Sequence, residues 1–111
     1  MSGVSPYIAY ARALDALGWS PVEFREARTF GARLMGLMLT PPATPEGLPV
    51  VMAFPGCHSV HTCFMSYPLD IAFIDRSGYV VAFYCAVSPW QIRSQPSAWA
   101  VLERASFATQ Y

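Results

Sequence analysis

The densest group of chemically capable side chains lies in the segment CHSVHTC, residues 57–63. Cys57, His58, His61 and Cys63 are all residue types that bind zinc. In an extended strand, however, His61 and Cys63 lie on one face and His58 on the other. Cys57 and His61 would then be about 13 Å apart at the strand rise, unless the preceding turn folds the chain back. We therefore predict no metal and keep Cys57, His61 and Cys63 as weak candidates, with buried thiols and a hydrogen-bonded histidine as the structural alternative.

A second set of polar residues could form a ligand pocket: Arg33, His61, Thr62, Asp70 and Glu103. Asp70 shares a strand face with apolar residues, so its carboxylate needs a partner, which Arg33 or His61 could supply. The alternative for Asp70 is a structural ion pair between a short helix and the sheet. Glu103 can equally be an exposed strand residue. Trp90 and Trp99 offer aromatic surface to a ligand, although large aromatic side chains more often belong to a core.

The sequence contains no nucleophile elbow, phosphate loop or paired-carboxylate motif. The first interpretation is therefore a non-enzymatic ligand-binding or assembly module that needs no cofactor, with a small molecule or a protein as its partner. The alternative is a small hydrolase or metal-dependent enzyme that uses His61 and Asp70. A complete set of ligands or a complete catalytic triad would distinguish the two, and the sequence supplies neither.

The elements that must position these residues begin with a helix. Ser5-Pro6 is a typical helix start, apolar residues then recur at helical spacing, and Gly18 suits the position that ends a helix. This pattern predicts a helix over 6–17. A second, shorter helix is predicted over 30–37, followed by a proline-rich loop.

The rest of the chain has the pattern of short strands separated by turns. Asp75 and Gly78 are typical of the first and fourth positions of a tight turn, which predicts a hairpin. Its second arm is apolar on both faces, which predicts a central strand covered on both sides. The many short strands favour a mainly β sandwich or barrel. Strands are predicted at 22–28, 48–54, 59–65, 69–74, 79–87 and 98–105, with a loop over 88–97.

Composition limits the classes of function. The chain has 111 residues, of which 54% are apolar and 13% charged, and its formal net charge is zero. All seven basic side chains are arginines, and a neutral chain without a basic cluster is a poor binder of nucleic acid. We also predict a single domain over 1–111 that contains no membrane span or secretory signal. Three cysteines, an odd number, are expected to be thiols in the cytoplasm.

The motifs MGLM, VHTCFMSYPLDIAFIDRSGYVV and VLE resemble the family called domain of unknown function 192. The resemblance covers residues 27 to 104, and PLDIAFID is its most specific part. It rests on Arg33, Gly36, Leu37, His61, Thr62, Met65, Pro68, Asp70, Phe73, Asp75, Gly78, Leu102 and Glu103.

This resemblance implies a compact jelly-roll β-sandwich with short helices, and it implies no established reaction. Family members usually continue beyond the Leu-Glu strand, so the chain is expected to be a C-terminally shortened member. The helix at 6–17 is expected to be an addition to a β core at 22–105. Apolar surface and an unprotected sheet edge then predict a possible homodimer.

Overall fold

A computed structural model describes residues 5–28 and 41–106 of the chain. Its elements confirm the mainly β class with an N-terminal helix. The helix predicted over 30–37 and the candidate residue Arg33 lie outside the described residues. In chain order the elements are α1 (Pro6–Leu17), β1 (Glu23–Glu26), β2 (Val50–Pro55), β3 (Ser59–His61), β4 (Leu69–Ile74), β5 (Val80–Val87), β6 (Ile92–Ser94) and β7 (Ala100–Ala105).

Helix α1 has the bounds that its sequence predicts. The Ser5 side chain accepts a hydrogen bond from Tyr7 N, Pro6 occupies the first turn, and Gly18 ends the helix with φ of 69°. A residue with positive φ after the last turn is best provided by glycine, because it has no Cβ. No helix in the described ranges is long and apolar enough to cross a membrane.

The main sheet has five strands in the order β1-β2-β7-β4-β5, and a separate two-stranded ribbon pairs β3 with β6. Only β1 and β2 are parallel, while the other neighbours run antiparallel. The main sheet is not closed, because β1 and β5 remain unpaired on their outer sides within the described part of the chain. The main sheet therefore does not close into the barrel that was one of the two predicted architectures. The ribbon of two short strands is also much smaller than the second sheet of the predicted jelly-roll sandwich.

Strand β5 was predicted to be central, and this prediction is wrong. It lies at the edge of the main sheet, and its residues alternate between partly buried and exposed until Val87. The central place belongs to β7, which lies between β2 and β4 and is almost wholly buried. An apolar strand is therefore left at the edge, with Val81 and Phe83 exposed.

Two predicted boundaries also differ from the structure. The strand predicted over 59–65 ends at His61, and the loop predicted over 88–97 contains β6. Backbone hydrogen bonds explain both differences, since Thr62 turns away from the strand to bond with residues 90 and 91. That contact brings the two segments together, and β3 and β6 pair beside it.

The main sheet has an apolar core on each face. Helix α1 covers one face, where Tyr10 and Leu14 pack against strand residues such as Val51 and Leu102. The other face has a second core, against which residues of the ribbon and the following loop pack, including Val60, Met65 and Tyr67. The helix lies against the β4–β5 turn at Gly78, where an added Cβ would clash with the Ala9 carbonyl group.

Candidate functional surface

The residues predicted to form one polar pocket lie in separate places in the structure. In the pairing of β4 with β7, Asp70 is aligned with Arg104, and Ile71 is aligned with Glu103. Asp70 and Glu103 therefore lie on opposite faces of the main sheet, because successive strand residues point to opposite sides. His61 and Thr62 lie at the end of β3, in the ribbon.

Asp70 is paired with Arg104. Its side chain is 2% exposed, and Oδ2 accepts a hydrogen bond of 3.0 Å from Arg104 Nε. Oδ1 accepts another, of 2.9 Å, from the backbone N–H of Ala86. The Arg104 guanidinium also stacks 4.4 Å from the ring centre of Trp19. Asp70 therefore forms a structural ion pair within the main sheet, with Arg104 of β7. The pair predicted between a short helix and the sheet stays a prediction, because Arg33 lies outside the described residues, and His61 makes no contact with Asp70 among the described hydrogen bonds.

The contact between Asp70 and Ala86 lies at an irregularity in the pairing of β4 with β5. Leu69 is aligned with Val87 and Ile71 with Tyr84, so two residues of β5 lie opposite Asp70. Ala86 there has φ of 54°, in the left-handed region. A bulged residue leaves the regular ladder, and the carboxylate provides the acceptor that its N–H would otherwise lack.

Glu103 lies in the core on the other face and is 5% exposed. Burial raises the pKa of its carboxyl to about 8, because an apolar environment disfavours the charged form. Burial and then the nearby Glu103 raise the pKa of Tyr67, whose buried hydroxyl has no hydrogen-bond partner among the described residues. Glu103 is thus a buried acid, and the exposed strand position that the sequence left open is excluded.

Thr62 joins the ribbon to the loop that precedes β6. The side chain is 1% exposed, and its hydroxyl donates to Ser88 O at 2.7 Å and accepts from Gln91 N at 2.9 Å. Its backbone N–H donates to Gln91 O, and its carbonyl accepts from Trp90 N and Met65 N. This side chain cannot meet a ligand directly, but it fixes the positions of the residues around it.

Two exposed aromatic residues flank this junction. Phe64 has φ of 68° and Trp90 has φ of 67°, a backbone region that is rare for bulky residues. Their side chains are 67% and 62% exposed, and their rings pack edge to face with centres 4.7 Å apart. The protein thus holds two large apolar side chains in solvent at strained backbone positions, and strain of this kind is concentrated at functional sites.

The outward side of the ribbon continues this aromatic pair. His61 is aligned with Ile92, and Ser59 is aligned with Ser94 through a hydroxyl contact of 2.8 Å. All four are exposed, Ile92 to 68%, and His61 Nδ1 accepts a hydrogen bond from Cys63 N. We call the surface formed by the outward ribbon residues and the aromatic pair the ribbon face; it comprises Ser59, His61, Phe64, Trp90, Ile92 and Ser94.

Cys57, Cys63 and Cys85 all lie in the described part of the chain, and none of them forms a disulfide. Within residues 5–28 and 41–106, no three side chains of His, Cys, Asp or Glu group closely enough to hold a metal ion. The weak candidates Cys57, His61 and Cys63, all within the described part, therefore do not come together as a set of three ligands.

Sequence reasoning identified only part of the ribbon face. It pointed to His61 and to aromatic surface at Trp90, but it assigned Phe64 to a strand and Ile92 to a loop. One signal in the sequence could have indicated the apolar surface: the loop predicted over 88–97 contains apolar side chains although it has no strand or helix periodicity. It offered none for the positive φ of Phe64, because that conformation depends on the distant loop held by Thr62.

The fold defines a class of small, mainly β proteins with an open five-stranded sheet, a two-stranded ribbon and an N-terminal helix. A family model described as DUF192 (Uncharacterized ACR, COG1430) matches residues 14–110. The chain belongs to this family, which confirms the resemblance seen in the sequence. Its C-terminal shortening stays a prediction.

Two solved structures share the fold. One is a protein of unknown function from Novosphingobium aromaticivorans DSM 12444, with a TM-score of 0.62 and 22% identity, covering 80% of this chain and 66% of that one. The other is named a "putative transcription regulator" of Sinorhizobium meliloti 1021, with a TM-score of 0.63 and 21% identity, covering 78% of this chain and 70% of that one. This chain thus spans about two thirds of their lengths. No curated protein matches it significantly.

Proposed function

We propose that this DUF192 protein is a non-enzymatic assembly module whose docking surface is the ribbon face, and that a second copy of the chain docks there. The observation that carries the proposal is the exposed pair of Phe64 and Trp90, held at positive φ. Exposed apolar patches mark interaction surfaces, and tryptophan is enriched among the residues that dominate binding energy.

The chemistry of the ribbon face favours a second copy as its occupant. None of its six residues carries a carboxylate, an ammonium or a guanidinium group. A partner surface should therefore also be apolar and uncharged, because burying an unpaired charge is costly. The ribbon face matches itself in this respect, and a two-fold dimer places one patch against its identical copy.

Two further points support a binding role over the hydrolase alternative. Both carboxylate oxygens of Asp70 already accept hydrogen bonds, and the side chain is almost fully buried. His61 is exposed at the end of the ribbon, which packs on one face of the main sheet, whereas Asp70 lies on the face that α1 covers. The sheet therefore stands between the two members of the predicted acid–base pair. A dimer in the cytoplasm is also consistent with three cysteines that form no disulfide.

Light scattering coupled to size exclusion at micromolar concentrations tests the proposal. We expect wild type to have twice the chain mass of 12.2 kDa. The double variant Phe64→Ser/Trp90→Ala should be a monomer, since it removes the two aromatic rings from the ribbon face.

The matched control replaces Tyr7 with Ser, because Tyr7 is an aromatic residue that is 73% exposed on α1 and lies outside the ribbon face. This variant should stay dimeric. A monomeric wild type, or a double variant that still dimerises with an unchanged circular dichroism spectrum, would rule out self-docking through the ribbon face.

A further inference from the structure

We propose that the groove beside edge strand β5 binds an extended acidic segment of a partner protein as an added β-strand, with Arg93 pairing with its carboxylate. This site is distinct from the ribbon face. It uses the outer edge of the main sheet and Arg93, the residue of β6 that lies on the side opposite the ribbon face.

The groove runs between the second half of β5 and the segment that leads into β6. It has a volume of about 540 Å³. At the strand rise, Phe83 to Val87 would span at most roughly 13 Å, and the bulge at Ala86 shortens this path, so about three or four residues of an added strand fit. Its lining residues are Phe83, Tyr84, Cys85, Ala86, Val87, Ser88, Gln91 and Arg93.

The backbone of β5 is available for pairing. No described strand pairs with its outer side, and alternate N–H and C=O groups of an edge strand point away from the sheet. The strand VVAFYCAV has eight residues and contains neither a charge nor a proline. Its ladder with β4 is irregular near Val81 and at Ala86, so an added strand would pair with the residues between these two points. The other edge, β1, has four residues, and three of them are charged. An incoming strand would therefore add to β5, the mode by which several peptide-binding domains work.

Arg93 determines the chemistry of the partner. Among the described residues that line the groove, it is the only one with a charged side chain. Its guanidinium lies 5.3 Å from the ring centre of Tyr84, and Nη1 donates to Ile92 O. Within the described residues it contacts no carboxylate, so most of its five donors remain available. Stacking on Tyr84 holds the guanidinium plane, and a carboxylate can accept two parallel hydrogen bonds from it.

We expect the carboxylate that pairs with Arg93 to come from an Asp or Glu within the partner segment. The partner chain then continues past Arg93 and does not end there. Strand β5 continues from Phe83 back to Val80 beyond the groove, so an added strand can pass along the edge. A second copy of β5 fits poorly, because that strand has no carboxylate to offer Arg93.

Selection from a displayed library of random heptapeptides, followed by fluorescence polarisation with the enriched sequences, tests the proposal. We expect the enriched peptides to have one acidic residue beside alternating apolar residues. Arg93→Gln should weaken binding about tenfold or more, as the loss of a charge-assisted hydrogen bond implies. N-methylation of alternate peptide residues should abolish binding, because it removes backbone donors.

A charge reversal separates recognition from loss of fold. The Arg93→Glu variant should no longer bind the acidic peptide. It should instead bind the same peptide with Lys in place of its acidic residue, which an unfolded variant could not do. Arg25→Gln is the control, because Arg25 is exposed on β1. Enriched peptides without an acidic position, binding that survives Arg93→Gln or N-methylation, or binding lost in Phe64→Ser/Trp90→Ala would each overturn the proposal.

Discussion

The carboxylate of Asp70 joins three strands of the main sheet. It lies on β4, bonds to Arg104 on β7 and accepts the N–H of Ala86 at the bulge of β5. A buried carboxylate that satisfies two different strands costs more to remove than an exposed ion pair, because both partners lose their acceptor at partly buried positions.

We expect Asp70→Ala to lower the free energy of unfolding by roughly 3–5 kcal/mol, the range for breaking a buried ion pair. Urea denaturation measures this change. Glu23→Ala is the matched control, because Glu23 pairs with Arg25 at 3.8 Å with both side chains 44% exposed, and such pairs contribute about 1 kcal/mol or less. Equal costs for the two variants would show that the Asp70 contacts contribute little.

Glu103 should make the stability of the protein depend on pH. Its folded pKa of about 8 lies above the ordinary value of 4.5, so the folded state binds more protons than the unfolded state between these limits. The free energy of unfolding should therefore be highest near pH 4.5, fall as pH rises to about 8, and then level off. The difference has an upper limit of about 5 kcal/mol from this residue.

Glu103→Gln should remove most of this pH dependence, since the amide stays neutral throughout. Thermal melts at several pH values between these limits provide the measurement. Glu46→Gln is the control, because Glu46 is exposed in a loop. If wild type and Glu103→Gln lose stability in parallel as pH rises, the carboxyl is already ionised in the folded protein.

At the scale of elements, α1 contacts the β4–β5 turn through a glycine. Gly78 has φ of 93°, and a Cβ on it would meet the backbone of Ala9. Arg12 Nη1 donates to Ser77 O beside this contact. The helix can approach the turn this closely only because one residue has no side chain.

Gly78→Ala should therefore cost more than the same substitution at Gly47. Both glycines have similar φ, 93° and 92°, but nothing lies within 4 Å of a Cβ at Gly47. Gly47→Ala should cost about 1–3 kcal/mol for its backbone strain alone. The clash at Gly78 should add roughly another 1–3 kcal/mol of overpacking. Urea denaturation of both variants measures the difference, and equal costs would mean that α1 moves aside freely.

The elements predicted correctly from the sequence are those fixed by near neighbours. The cap at Ser5, the end of α1 at Gly18 and the turn from Asp75 to Gly78 each depend on bonds within a few residues. The edge position of β5 could not be predicted, because it depends on β7 entering between β2 and β4. The partner of Asp70 is likewise 34 residues away, and no periodicity in the sequence encodes such a distance.

At the scale of the whole molecule, both apolar cores depend on the same central strand. Leu102 of β7 belongs to the core beneath α1, and Val101 belongs to the core on the other face. Strand β7 also pairs with β2 on one side and β4 on the other. Neither core nor the order of the sheet can therefore be complete without β7, although it is the last described strand in the chain.

This central placement has a consequence for protein synthesis. A nascent chain emerging from the ribosome exposes β2 and the β4–β5 hairpin before β7 has been translated. The sides of β2 and β4 that pair with β7 therefore remain without a partner during elongation, and their apolar residues stay open to chaperones. A force-sensitive arrest peptide placed at increasing distances after residue 105 should report folding only once Ala100–Ala105 has left the exit tunnel. A folding signal from chains that end before Ala100 would show that the remaining strands close a stable core without it.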